Sequence, residues 1–377
     1  MRILIAPDSM KGSLNAVDFC RLSEQVICRE LPHAEVICKP MADGGEGTVD
    51  AFIEGAGGRY HHCIVDGPLG DPVNAKWGQL DNGTAVIEMA AAAGLTLINT
   101  ESLAPLTAST WGVGQLIIDA LDNGCTDFII GLGGSATNDG GAGALQALGC
   151  GFFDINDEEI ARGGAALNNL SRIDSTRLDP RLQNCNFTLA CDVSNVLLGD
   201  KGATAIFGPQ KGATSAELIT LEQGLTQFNS ILQQHGKDVA TVAGGGAAGG
   251  MAAGLLALLP AKLSPGFDII NQHLNLDVLL KTGIDLIITG EGSFDNQSLE
   301  GKLPIALATL AKQYSTPVIV VTGARGEGYR ASRKFGVTSV ITLCAGPMTL
   351  DAAMSNAKEL LTDSIDELCQ LLKLGKA

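Results

Sequence analysis

Ile3-Leu4-Ile5-Ala6-Pro7-Asp8-Ser9 is an apolar run of strand length that breaks at a proline into a short polar loop. The segment after it decides the fold. Over residues 13–31 the apolar positions Leu14, Val17, Ile27 and Leu31 share one helical face, Pro32 lies just beyond, and a second apolar run begins at Glu35. The same alternation returns in the last third, with strands expected near 285–289, 317–322 and 338–343 and helical stretches at 303–313, 328–334 and 350–372. Between them, the apolar runs 60–65, 73–79 and 84–89 stand too close together to hold intervening helices, so antiparallel or mixed pairing is expected there. The fold class is therefore α/β: a doubly wound, mainly parallel sheet domain carrying an inserted mixed-sheet α/β domain. Residues 1–65 and 266–377 are assigned to the first, discontinuous domain and 66–265 to the insertion, while 109–149 suits either.

Composition bounds the function classes. The 377 residues exceed what one compact core usually absorbs. Forty-one acidic residues against 25 basic ones leave a formal charge of −16, which repels a phosphate backbone, so nucleic acid is excluded as a partner. Apolar residues make up 45% of the chain and charged ones 18%, a globular composition. The ten cysteines include no Cys-x-x-Cys pair and read as buried thiols in a reducing cytoplasm. No export signal is visible. The uncharged stretch 239–261 is long enough to span a bilayer, but its glycines make a loop feeding a buried helix the better reading, and no membrane partner is expected. A monomer or homodimer is anticipated.

Glycine is the outlier, at 48 residues, and it clusters at 44–47, 131–143, 244–254, 290–301 and 323–328. Several clusters come directly after apolar strand-like runs, where open α/β sheets gather loops around a ligand. The richest is Gly131-Leu132-Gly133-Gly134-Ser135-Ala136-Thr137-Asn138-Asp139-Gly140-Gly141, in which close-spaced N–H groups and hydroxyls could form an anion-binding nest aided by the next helix. The competing reading is a tight turn packed on a neighbour. Gly131-x-Gly133-x-x-Ala136 also fits a relaxed dinucleotide fingerprint, which keeps a nicotinamide-dependent dehydrogenase of a hydroxy acid as an alternative, beside a non-catalytic nucleotide-binding module. Walker A, protein-kinase and Gly-x-Ser-x-Gly signatures are absent from the sequence, and the pair His61-His62 in an expected strand reads as structural.

Carboxylates in glycine context remain: Asp8, Asp43, Asp192, Glu291 and Asp295, each placed just past the end of an expected strand. Any one of them could be a helix cap. Together, and beside Lys11, Lys211 and Lys302, they make the set that magnesium-assisted phosphoryl transfer needs, with hard oxygen ligands for the metal and cations for phosphate oxygens.

At these residues the chain resembles the bacterial glycerate kinase family, of the glycerate 2-kinase type. The resemblance runs nearly full length. It rests on Ala6-Pro7-Asp8-Ser9 with Lys11-Gly12-Ser13-Leu14, on Met41-Ala42-Asp43-Gly44-Gly45-Glu46-Gly47-Thr48, on the glycine loop 131–141, on Ala190-Cys191-Asp192-Val193, on Phe207-Gly208-Pro209-Gln210-Lys211-Gly212-Ala213, and on Thr289-Gly290-Glu291-Gly292 with Asp295, Gln297, Gly301 and Lys302. It implies transfer of the ATP γ-phosphate to the 2-hydroxyl of D-glycerate, with Mg2+ and ATP as cofactors. In that scheme Asp192 or Asp295 orients the hydroxyl and accepts its proton, and Lys11 and Lys302 neutralise developing charge. Glu291 or Asp43 holds the metal. Asp8, Ser9, Asp43, Gly44, Gly133, Gly134, Ser135, Thr137, Asn138 and Lys211 bind substrate or phosphate.

Overall fold

The computed structural model describes residues 1–374. Its chain divides into two compact units, one made of residues 1–43, 50–57 and the chain from Gly266 onward, the other of 44–49 and 58–265.

The first unit is built on five parallel strands, Arg2–Ile5, Glu35–Cys38, Leu286–Phe294, Val318–Arg325 and Val337–Thr342. Counted along this unit they lie across the sheet in the order 2-1-3-4-5. The order reverses between Arg2–Ile5 and Leu286–Phe294, and such a switch point opens a crevice at the carboxyl ends of the two strands. Ile3, Ile5, Ile288 and Val321 form the sheet's share of the core. Against it pack the helices Ala16–Glu30, capped by Asn15 accepting from the Asp18 amide at 2.6 Å, and Ala357–Leu374. The anticipated helix over 350–372 is interrupted: Leu350–Ser355, capped by Thr349, ends at Asn356, and Ala357–Leu374 begins anew. The stretch expected as helix at 328–334 is the 3-10 helix Tyr329–Phe335. Strand Leu286–Phe294 runs five residues further than expected because its pairing with Val318–Arg325 continues to Phe294 and Arg325. Glu291 therefore lies within a strand, not beyond one.

The second unit holds a mixed sheet in the order Ala261–Ser264, Asn186–Ala190, Asp127–Gly131, Ala85–Glu88, Pro72–Leu80, Gly58–Asp66. The first four are parallel and the last two join antiparallel. Gly58–Asp66 and Pro72–Leu80 form one hairpin paired from Gly58 to Asp66, so a domain boundary at 65 would cut through it; the contacts pass at 57 instead. Residues 109–149 lie in this unit. His61 stacks on Trp77 at 4.2 Å between ring centroids, a packing role. The glycines of 244–250 lead into the helix Met251–Leu258, whose residues are almost all buried. Among the described residues no helix is long and apolar enough to cross a membrane.

Glycine density in this unit is used for close approach. A Cβ on Gly131 would stand 2.4 Å from the Gly44 carbonyl oxygen, and one on Gly133 would stand 2.7 Å from the Gly45 Cα. The Gly133 amide donates to that same Gly44 carbonyl at 3.0 Å. Backbone meets backbone here, and no flexible side chain can give way. We expect Gly133→Val to destabilise the fold by about 1–3 kcal/mol, read as a lower urea midpoint; an unchanged midpoint would mean that the loop yields freely.

Candidate functional site

At the switch point of the first unit, the Asp8 amide donates to the Gly290 carbonyl at 2.9 Å, extending the pairing of the two central strands past the end of the first. Asp8 and Glu291 are brought together by that bond. The next loop is tight: Met10 and Leu14 exchange backbone hydrogen bonds at 2.7 and 3.0 Å, and Gly12 turns with φ +76°. Lys11 is carried exposed on the tip. Lys302 stands at the N-cap of the helix Leu303–Lys312 and sets its ammonium 3.7 Å from Glu291 Oε2.

These groups line one cavity of about 720 Å³, within the range of small-molecule sites. Asp8, Ser9, Lys11, Asp43, Glu291 and Lys302 form its polar end. The electrostatics are unbalanced. Burial, with Asp43 and then Glu291 adding to it against Lys11, pushes the Asp8 carboxyl up to about 8. Burial also raises Glu291, opposed by Ser298 and Lys302. Glu291 is 5% exposed and its Oε1 is buried without a hydrogen-bond partner. Three carboxylates held this closely favour a bound cation or a bound proton. Among the described residues no three or more His, Cys, Asp and Glu side chains converge closely enough to hold a metal by themselves.

Asp295 lies at the end of the same long strand but outside the cavity lining. Its Oδ1 accepts from the Gln297 amide at 2.8 Å and its Oδ2 meets the Ser293 hydroxyl at 3.4 Å, so the carboxylate fastens the turn that leads to Lys302.

The other expected residues lie in the second unit. Asp192, exposed, comes after strand Asn186–Ala190, and the glycine loop comes after its parallel neighbour Asp127–Gly131, so both stand at the carboxyl end of this sheet. Gly44 belongs there too, with φ +91° and a would-be Cβ 2.8 Å from that of Ala190. Much of the loop is already occupied. The amides of Gly133, Ala136 and Gly140 donate to Gly44, Ala93 and Gly249. Asp139, fully buried and raised by that burial, accepts from the Thr110 amide and hydroxyl and from the amides of Gly141 and Gly143. The helix Ala142–Ala147 is only six residues long, and the Ala144 amide is taken by Thr110 Oγ1. Its start is therefore saturated from within, which corrects the expectation that it lends its dipole to an anion. The dinucleotide fingerprint fails for a related reason: Ala136 is six residues short of any helix.

Lys211 is the other surprise. It is 1% exposed, and its ammonium donates to Ser135 Oγ at 2.9 Å and to the Thr137 carbonyl at 2.6 Å. Burial lowers it to about 7, with Asp139 opposing. It braces Ser135 and Thr137 from inside and stands nowhere open to a phosphate. The loop keeps two buried side-chain atoms without partners, Thr137 Oγ1 and Asn138 Oδ1. The sequence patterns did not single out Asp139, Thr110 or Glu88. Glu88 ends strand Ala85–Glu88 opposite Gly131 and accepts from the Val49 amide at 2.7 Å, and its place at a strand end was the available signal.

The fold and this arrangement of loops define an α/β protein with carboxylates and lysines gathered at the carboxyl ends of parallel strands. The model of the glycerate kinase family matches residues 3–373, and the chain belongs to that family. It is 47% identical to the glycerate kinase of Halalkalibacterium halodurans and 44% identical to the glycerate 2-kinase of Escherichia coli, covering all of this chain and 99% of each relative. A crystal structure from Salmonella typhimurium LT2, 43% identical, superposes with a TM-score of 0.89 and covers 100% of this chain and 99% of that one.

The raised Asp8 carboxyl has a stability consequence. At this position the folded chain keeps a proton that the unfolded chain loses near 3.8, so the contribution of Asp8 to stability is greatest below that pH, falls as pH rises towards about 8, and levels off above it. We expect the urea midpoint of Asp8→Asn to depend less steeply on pH between 5 and 8 than that of the parent chain; equal slopes would show that Asp8 ionises normally.

Proposed function

We propose that the chain is a glycerate 2-kinase, moving the γ-phosphate of ATP to the 2-hydroxyl of D-glycerate and forming 2-phosphoglycerate. The observation that carries this reading is the meeting of Asp8, Asp43 and Glu291 with Lys11 and Lys302 at the switch point of a parallel sheet, in a member of this family. Phosphoryl transfer asks for positioning and charge neutralisation more than for covalent chemistry. Lys11 and Lys302 supply cations for the phosphate oxygens. A cation at a helix N-cap opposes the helix dipole, so Lys302 serves a ligand better than it serves its helix.

Glu291 and Asp43 would hold magnesium, which when bound neutralises charge on the phosphates. The residues fit. Both are hard oxygen donors, and the buried Glu291 Oε1 has no other partner among the described residues. Magnesium usually takes one or two protein carboxylates and completes its shell with water and phosphate, so a full protein cage is unnecessary. Burial and the neighbouring Asp43 raise the Asp8 carboxyl to about 8, and a cation held beside it would favour its ionised form.

The loop of Gly133, Gly134, Ser135, Thr137 and Asn138 holds the acid's carboxylate, with the Thr137 hydroxyl as a donor not yet engaged. Lys211 keeps that loop in shape. Asp192 or Asp295 orients the hydroxyl and takes its proton. The chain works as a monomer or homodimer in the cytoplasm, a compartment that suits its ten free thiols.

ADP release over a panel of hydroxy acids, with phosphorus NMR of the product, tests the activity. D-glycerate with magnesium should give 2-phosphoglycerate, and chelation should stop it; no release with any acid would remove the assignment. Asp295→Asn or Asp192→Asn should lower kcat by about a hundredfold or more with little change in the KM for ATP. If both variants keep a near-normal kcat, neither carboxylate activates the hydroxyl.

A further inference from the structure

The polar end of the 720 Å³ cavity accounts for only part of its wall. The remainder is apolar, formed by Leu343, Met348, Leu350, Met354 and Leu360. Met348 is 41% exposed and Leu350 73%, so the protein's own packing leaves this face uncovered. Apolar side chains open to water beside a charged cluster mark a ligand surface better than a core. Glycerate, small and polar throughout, has nothing to place there. A nucleoside triphosphate does, because it carries polyanionic phosphates at one end and a flat, weakly polar base at the other.

Resting on the kinase reading above, we propose that the wall of Met348, Leu350 and Met354 is the seat of the nucleobase, and that it holds the base by apolar contact with little discrimination between purines. The uncharged polar side chains of the lining, apart from Ser9 at the phosphate end, each already make one hydrogen bond within the protein. The Ser13 hydroxyl donates to the Met10 carbonyl at 2.9 Å, and Ser293 to Asp295 at 3.4 Å. Thr349 Oγ1 accepts from the Ala352 amide at 3.3 Å, and Cys344 Sγ meets the Gly323 carbonyl at 3.7 Å. Among the described residues, the apolar end presents no charged or amide side chain to read the exocyclic group that separates adenine from guanine. Flexible, polarisable methionines adapt to either ring. Sites that hydrogen-bond a distinguishing group reject its analogue by roughly 10⁴-fold or more, whereas apolar sites discriminate by roughly 10- to 200-fold.

The test uses the full chain. Equilibrium binding of ATP, measured by calorimetry, should weaken tenfold or more in Leu350→Glu and in Met354→Glu, since each places a carboxylate against the base. Leu350 is largely exposed, so its replacement leaves the core untouched even if Met354→Glu folds poorly. Where the parent chain turns over, the KM for D-glycerate should stay unchanged in Leu350→Glu while that for ATP rises. GTP and ITP should support phosphorylation with kcat/KM within about a hundredfold of ATP. Unaltered ATP binding in Leu350→Glu would overturn the seat, and a preference for ATP above about a thousandfold would overturn the apolar mode of recognition. Because binding is measured without turnover, a parent chain that phosphorylates no hydroxy acid would refute the kinase reading while the seat is still judged.

Discussion

One backbone hydrogen bond, from the Asp8 amide to the Gly290 carbonyl, fixes what the first unit can do. It ties the end of the first strand to the middle of the strand Leu286–Phe294, and so sets two acidic loops side by side at the point where strand order reverses. The repulsion this creates at Asp8, Asp43 and Glu291 is held by what lies beneath it. Ile3, Ile5 and Ile288 are fully buried in the same strands, each contributing about 1.5–3 kcal/mol. The apolar sheet thus keeps the carboxylates together in a state that water alone would not favour.

The doubly wound unit was legible because its strands and helices are periodic and its apolar runs end at Asp8, Asp43 and Thr322, where side-chain chemistry changes abruptly. What escaped were features set by distant partners. Antiparallel or mixed pairing of 60–65 and 73–79 was expected, but not a register that runs from Gly58 to Asp66 and places the expected boundary at 65 inside the hairpin. The break at Asn356 was hidden because apolar spacing continues across it and neither glycine nor proline marks the restart at Ala357, while the Thr349 cap serves only the start of Leu350–Ser355.

The site was legible to a similar depth. Asp8, Asp43 and Glu291 were singled out by the rule that strand ends face ligands, with Lys11 and Lys302 as cations beside them; all five line one cavity, though Glu291 lies within its strand. The glycine loop was harder, because glycine permits close approach without saying by whom. Here Gly44, Gly45 and Gly249 come as close as a ligand would, and the carbonyls of Gly44 and Gly249 take the amides of Gly133 and Gly140. Lys211 sits in the polar context Gln210-Lys211-Gly212, which reads as surface; its burial depends on Ser135, 76 residues away.

The discontinuity of the parallel sheet also shapes how the chain is made. Ile3-Leu4-Ile5 leaves the ribosome long before its partner strand, which begins at Leu286. At roughly 5–20 residues per second, that partner arrives roughly 15–60 s later. For that interval a short strand, apolar but for Arg2, has only Glu35–Cys38 to pair with and one edge open to other chains. The second unit, complete by Pro265, can condense in the meantime, so the site at the switch point is assembled only after the whole of that unit has been made.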